Sequence, residues 1–301
     1  MKAVVLKAYG DVDALAVQDM PEPKVGPGEV KVRVTAASIN PVDWKIRRGD
    51  LKSMMPVQFP TILGRDVSGE VIEVGTGVEA FEPGDRVMGL VNAGYAETVV
   101  APTEAWAKVP ESLDLKDAAA LPLVTLTGVQ LIEEVVQPGQ GQTLLITGAL
   151  GAVGRAAVFA AKARGVKIWA GVRSKQVAEA RKLGVEGVVA LDDPKDVEKL
   201  PTLDAVADTV GGMALTLVLD RVKHGGIVGS AVGEPKGAKE KGLMVRTFFS
   251  HTDGRRLAQL GESVAKGDLV IPIAKTFPMT EAKDAQKLAE KGGVGKVLLV
   301  N

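Results

Sequence analysis

The twelve residues Thr143–Gly154, TLLITGALGAVG, restrict what this chain can fold into more than any other stretch. Thr143–Thr147 is a short run of β-branched and leucine side chains, the composition of a strand buried on both faces. Gly148, Gly151 and Gly154 follow at three-residue intervals, and Arg155–Arg164 then reads as an alanine-rich helix. Strand, glycine turn and helix together open a dinucleotide-binding βαβ unit, with Ala149 at the first position of the usual G-x-G-x-x-G. The first helical N–H groups, at Ala152 and Val153, aim at the pyrophosphate of such a cofactor, and the helix dipole favours its charge. Glycine lets the chain turn sharply there and lets backbone and phosphate approach with no Cβ between them. A second strand, Val166–Val172, arrives on schedule after Gly165.

The end of that second strand discriminates between cofactors. A carboxylate there binds the ribose hydroxyls of NAD, whereas cations suit the 2′-phosphate of NADPH. Here Val172 is followed by Arg173, Ser174 and Lys175, with no acid along the same segment until Glu179. Two cations and a hydroxyl at a helix start favour NADPH. The alternative is that all three are solvated surface residues.

Composition removes several other chemistries. The 37 basic and 37 acidic residues cancel, so no overall field draws the chain to nucleic acid or an anionic membrane. Cysteine is absent, which excludes disulfides, thiolate catalysis and cysteine-ligated zinc. The first residues, MKAVVLKAYGDVDAL, are too briefly apolar for a signal peptide, and no apolar run approaches the ~20 residues that a bilayer requires. A cytoplasmic protein is the expectation.

Along the chain, Lys2–Leu6 and Val30–Ala36 read as strands, the second alternating cleanly between valine and polar residues. Val67–Val74 and Asp85–Leu90 continue the pattern between glycine and proline turns, giving a compact β-rich domain. Asp114–Val136 is alanine- and leucine-rich and helical in character, interrupted at Pro122. From Thr143 onward strands and helices alternate: Gly187–Leu191, Leu203–Asp208, Gly226–Val232 and Leu243–Phe249 are the later strands, and Met213–Val222 is a helix. Such alternation gives a parallel sheet covered on both faces. Lys266–Pro278 is proline-broken and strand-like, and Gly295–Val300 is a last strand.

Neither His224, in a glycine turn, nor His251, after a strand, has a companion at metal-ligand spacing. No G-x-S-x-G is present. Met54 and Met55, beside Phe59, suit core packing or the lining of an apolar pocket.

Taken in order, Ser38–Gly49 (SINPVDWKIRRG), Leu63–Gly69 (LGRDVSG), Gly84–Gly89 (GDRVMG), Gly94–Glu97 (GYAE), Leu126–Gly128 (LTG), Gly148–Gly154 and Gly295–Leu298 (GKVL) resemble the medium-chain dehydrogenase/reductase superfamily. Within it, the resemblance is to the zinc-independent quinone oxidoreductases. It implies an α/β fold, with a GroES-like β-rich domain plus a doubly wound parallel-sheet Rossmann domain. The expected division is 1–120 with 267–301 for the first and 121–266 for the second. Zinc-dependent relatives carry a histidine in a G-H-E motif, where this chain reads Gly64-Arg65-Asp66. The resemblance therefore implies hydride transfer from NADPH to a quinone or enone, with no metal ligand. It places Asn40 near the nicotinamide and the acceptor oxygen, Asp43 and Arg65 in support, and Thr127 beside the nicotinamide ribose or phosphates. The same resemblance implies a small-molecule substrate and a homodimer. Arg65 and Asp66 have a second reading, as an ion-pair network between strands. An enoyl-thioester reductase is the alternative activity, although Tyr9 and Tyr95 are the only tyrosines and neither lies after Gly49 in the way that activity's tyrosine would require. A cofactor-sensing module with little turnover is the other alternative.

Overall fold

The computed structural model describes residues 1–293 and 295–301. The chain forms two compact units, Met1–Leu123 with Thr252–Asn301, and Val124–His251.

The second unit is built on Thr143–Gly154. Thr143–Thr147 is a strand with Leu144, Leu145 and Ile146 wholly buried, as expected of a strand covered on both faces. It lies at the centre of six parallel strands ordered Gly187–Ala190, Lys167–Val172, Thr143–Thr147, Leu203–Asp208, Val222–Ser230, Met244–Thr247. In chain order this is 3-2-1-4-5-6, so the strand sequence reverses direction beside Thr143–Thr147. Ligands of open α/β sheets bind outside the carboxyl ends of the strands at such a reversal. The segment 174–183 is one short α-helical stretch between two 3-10 turns, ended by Gly184 in the left-handed conformation. His224 belongs to the strand Val222–Ser230 rather than to a turn, and its ring packs over Gly242. The expected helix Met213–Val222 is shorter, Gly212–Thr216 followed by a 3-10 turn at Leu219–Arg221.

The first unit holds a sheet along the path Ile273–Pro278, Lys296–Val300, Glu29–Ser38, Asp66–Val74, Arg86–Leu90, Trp106–Lys108, with Thr98–Pro102 also on Glu29–Ser38. Valines 30, 32, 34, 67, 71 and 87 fill its core with Tyr95 and Trp106. A smaller antiparallel sheet joins Lys2–Leu6 to Leu15–Asp19 and Thr61–Ile62.

One boundary departs from the sequence reading. The helix Gly254–Ala265 belongs to the first unit, not to the second. Glycine makes this possible: a Cβ at Gly254 would lie 2.2 Å from the Trp106 carbonyl oxygen, and one at Gly261 would lie 2.6 Å from the Met88 side chain. The helix therefore seats its backbone directly on the strand Trp106–Lys108.

Candidate active site

In the second unit, Gly148, Gly151 and Gly154 do three different things. Gly148 turns the chain at φ +63°, where a side chain would also strike Thr209 and Val210. Gly154 brings helix and turn together: a Cβ there would sit 2.1 Å from the Gly148 carbonyl oxygen. Gly151 is the N-cap of the helix Ala152–Ala163 at an ordinary φ of −69°, and a Cβ on it would meet only the Gly148 carbonyl oxygen, 3.1 Å away. The space over the turn is open. No side chain caps this twelve-residue helix, and its first turn carries no acid. Its leading N–H groups, those of Ala152 and Val153 among them, are thus available to an anion. These features fit the pyrophosphate of a dinucleotide.

Thr127 is carried to this turn by a close helix contact. A Cβ at Gly128 would lie 2.4 Å from the Val153 carbonyl oxygen and 2.6 Å from Ala156 Cβ, so only glycine lets the helix Pro122–Gln130 lie against the first turn of Ala152–Ala163. Thr127 itself stays partly exposed.

Asp208, which the sequence reading passed over, binds the strand ends together. Its carboxylate accepts from Thr147 Oγ1 at 2.7 Å and from Ser230 Oγ at 2.8 Å, and also from the backbone N–H of Gly211. Three neighbouring strands are thereby held level at the reversal point.

At the end of Lys167–Val172, Arg173 and Lys175 are exposed. Ser174 is engaged: its backbone N–H and its hydroxyl both donate to Asp192 Oδ1 at 2.7 Å. Those bonds, with the nearby Arg173 charge, hold the Asp192 carboxyl below the usual range. A carboxylate therefore stands here after all, supplied by the loop after the next strand.

In the first unit, register assembles a buried polar cluster. Ser38 pairs with Asp66 on one side and with Leu298 on the other, so Lys296 comes level with Asn40. Asp66 is wholly buried; Oδ2 accepts from Ser38 Oγ at 2.7 Å and Asn40 Nδ2 at 2.8 Å, and Oδ1 accepts from the Leu123 N–H at 2.7 Å. Lys296 donates to Asn40 Oδ1 at 2.7 Å and the Ile39 carbonyl at 3.1 Å, and its charge lies 3.6 Å from Asp66. Burial pulls the Lys296 pKa down, against the pull of Asp66 and Asp43.

Asn40 is the N-cap of the helix Pro41–Arg48, and Asp43 in its first turn accepts from the Asn40 N–H at 2.8 Å and from Tyr95 Oη at 2.7 Å. The Asn40 side chain has no exposed surface, and its amide donates to both Asp66 and the Ser38 carbonyl. Its donors are thus spent inside the protein, which fits a positioning residue rather than a direct contact to an acceptor oxygen. Arg65 differs. It is half-buried, its Nε is shut off from solvent, and no partner accepts from its guanidinium among the described residues. Of the proposed ion-pair network, Asp66 is a member and Arg65 is not. An unpaired buried donor costs about 1–3 kcal/mol, so Arg65 is a group to which a ligand oxygen would bring a gain.

Burial pushes the Asp43 carboxyl up to about 6, against the Tyr95 and Asn40 hydrogen bonds that favour its charged form. A carboxyl with a raised folded-state pKa adds stability that is complete below its unfolded value and lost as pH rises through the folded one. Between pH 4 and 7 wild type should therefore lose on the order of 2–3 kcal/mol relative to Asp43→Asn. Urea unfolding of both proteins at pH 4.5 and 7 checks this; a difference independent of pH would refute it.

The remaining candidates have structural places. His251 faces Gln130 and Glu134, with Nε2 3.0 Å from a Glu134 oxygen. Met55 packs on the first core, Met54 is exposed, and Phe59 meets Tyr9 edge to face. Among the described residues, no group of three or more histidine, aspartate or glutamate side chains could hold a metal ion, and no helix is long and apolar enough to cross a membrane.

Comparison with known proteins agrees with this architecture. Residues 26–111 match the alcohol dehydrogenase GroES-like domain, and residues 183–299 match the family described as zinc-binding dehydrogenase. The chain is 32% identical to the chloroplast envelope quinone oxidoreductase homolog of Arabidopsis thaliana, over 99% of this chain and 98% of that one. It is 31% identical to the mitochondrial NAD(P)H oxidoreductase RTN4IP1 of Mus musculus, over 100% of this chain and 89% of the relative. The solved quinone oxidoreductase from Coxiella burnetii superposes with a TM-score of 0.88 at 30% identity, covering 100% of this chain and 99% of that one. End-to-end likeness in sequence and fold, together with the glycine turn at the reversal point, shows that this chain belongs to the quinone oxidoreductases of the medium-chain dehydrogenase/reductase superfamily.

Proposed function

We propose that the chain transfers hydride from NADPH to a quinone or another α,β-unsaturated carbonyl acceptor, without a metal ion. The observation that carries this reading is the uncapped helix start over Gly148–Gly154 at the reversal point of the parallel sheet. Gly148, Gly151, Ala152 and Val153 would hold the pyrophosphate, Thr127 the nicotinamide half, and Arg173 and Lys175 the 2′-phosphate, beside Ser174, whose donors Asp192 engages. When bound, the cofactor supplies the hydride. The relatives named as quinone oxidoreductases support the acceptor class.

Within the first unit, Arg65 offers its unpartnered donors to the acceptor oxygen, stabilising negative charge as it develops there. Asn40 keeps the neighbouring backbone in place, and Asp43 holds Asn40 through its N–H.

Steady-state NADPH oxidation across a panel of quinones and enones tests the activity. Binding without turnover on any of them would instead support a sensor of the cofactor. In the same assay Arg65→Ala should lower kcat about tenfold, the worth of one charge-assisted hydrogen bond, with the NADPH Kd unchanged. Added guanidinium should restore part of the rate; an unaltered kcat would remove Arg65 from the site.

A further inference from the structure

We infer that Asp192 sets how strongly this chain distinguishes NADPH from NADH, because its carboxylate occupies the two donors of Ser174 that a 2′-phosphate would use. The inference rests on the reading above that Arg173–Lys175 faces the adenosine ribose.

The geometry begins with register. Lys167–Val172 and Gly187–Ala190 are parallel neighbours, with Val172 level with Ala190. Two residues further on, Ser174 is level with Asp192, and both leave the sheet at its carboxyl end. Lys167–Val172 pairs with Thr143–Thr147, so a pyrophosphate held at the glycine turn would leave the adenosine ribose to the groups at the end of Lys167–Val172. At that place the chain presents two kinds of group. Arg173 and Lys175 are exposed cations with no hydrogen-bonded carboxylate among the described residues, and they favour a phosphate. Asp192 favours ribose hydroxyls, and it already takes both the N–H and the hydroxyl of Ser174 at 2.7 Å. A 2′-phosphate reaching the cations must displace that carboxylate from Ser174 or lie against its charge. A 2′-hydroxyl meets neither obstacle, since it can donate to the carboxylate directly. Two opposed preferences in one place make a weakly selective site, and Asp192 is the residue that opposes NADPH.

The test measures Kd for NADPH and NADH, and for adenosine 2′,5′-bisphosphate and 5′-AMP as probes of this end alone, by titration calorimetry on the full chain. Wild type should prefer NADPH by less than about tenfold. Asp192→Asn keeps an acceptor for Ser174 and removes the charge; the ratio of NADH to NADPH Kd should rise at least tenfold, mirrored by the two adenosine nucleotides. Ser174→Ala should change NADPH affinity less than threefold in wild type, where its hydroxyl is occupied. In the Asp192→Ala background, where the hydroxyl is released, the same substitution should weaken NADPH fivefold or more. A Kd ratio unchanged within twofold in both Asp192 variants, with NADH still bound, would overturn this inference and leave the proposed activity intact. Failure of wild type to bind either dinucleotide would overturn both. Circular dichroism on each variant separates these outcomes from misfolding.

Discussion

Replacing Gly151 with valine should leave a folded protein that has lost its dinucleotide. The backbone at Gly151 is ordinary for any residue, and a Cβ would only press the Gly148 carbonyl oxygen by a few tenths of an ångström. The two methyl groups beyond it, however, fill the open space over the turn where a pyrophosphate must approach the N–H groups of Ala152 and Val153. We expect the NADPH Kd to rise several hundredfold, equivalent to roughly 3–4 kcal/mol, with the thermal transition nearly unchanged. Gly154→Ala should do the reverse. Its Cβ would lie 2.1 Å from the Gly148 carbonyl oxygen and 2.8 Å from Ala149 Cα, both backbone atoms, so the helix must lift off the turn. That should destabilise the second unit by about 3 kcal/mol or more. Calorimetry and cofactor titration on the two variants check the contrast; a Gly151→Val protein that binds NADPH normally would reduce the turn to a structural element.

Asp66→Ala should be the most destabilising single change in the first unit. It removes the acceptor for Ser38 Oγ, Asn40 Nδ2 and the Leu123 N–H, and strands the Lys296 ammonium in a site only 6% exposed. Removing one member of a buried pair costs about 3–5 kcal/mol, chiefly through the uncompensated charge that remains. For a unit of this size that corresponds to a fall in Tm of roughly 10 °C. Adding Lys296→Met should recover part of the loss, because the stranded charge is then gone while the three orphaned donors are not. If the double variant is no more stable than Asp66→Ala, charge isolation is not what the single variant suffers.

What could be read from the sequence follows the range of the interactions concerned. Thr143–Thr147, the glycine spacing and the alternating strands are local patterns, and the strand bounds agree with the structure to the residue at Thr143–Thr147 and Leu203–Asp208. Gly128 shows its purpose only in three dimensions, where it meets Val153 and Ala156. The helix Gly254–Ala265 was hidden because its sequence, GRRLAQLGESVA, carries two glycines that ordinarily argue against a helix; here they admit close packing. The cluster around Asp66 joins Asn40 to Lys296 across 256 positions, and no spacing rule reaches so far. Asp192 was missed for a related reason. No acid follows Arg173 along its own segment until Glu179, whereas Asp192 comes sideways, from the loop after the neighbouring strand Gly187–Ala190.

The bond between Gln130 and His251 bears on how such a chain acquires its shape. Gln130 Nε2 donates to the His251 carbonyl at 3.0 Å and the His251 N–H donates to Gln130 Oε1 at 3.1 Å, pinning together the two ends of a contiguous unit. The first unit is discontinuous, and its strand Lys296–Val300 must find Glu29–Ser38 late in synthesis. Were the intervening segment uncoiled, that search would close a loop containing all of it. Once the inserted unit has condensed, the 121 positions between Gln130 and His251 behave as a single short link. On loop-closure entropy, halving the effective loop eases the final pairing by about 0.5 kcal/mol. A contiguous insertion that closes on itself at Gln130 and His251 thus turns a long-range strand pairing into a shorter-range one, whatever the order in which the two units condense.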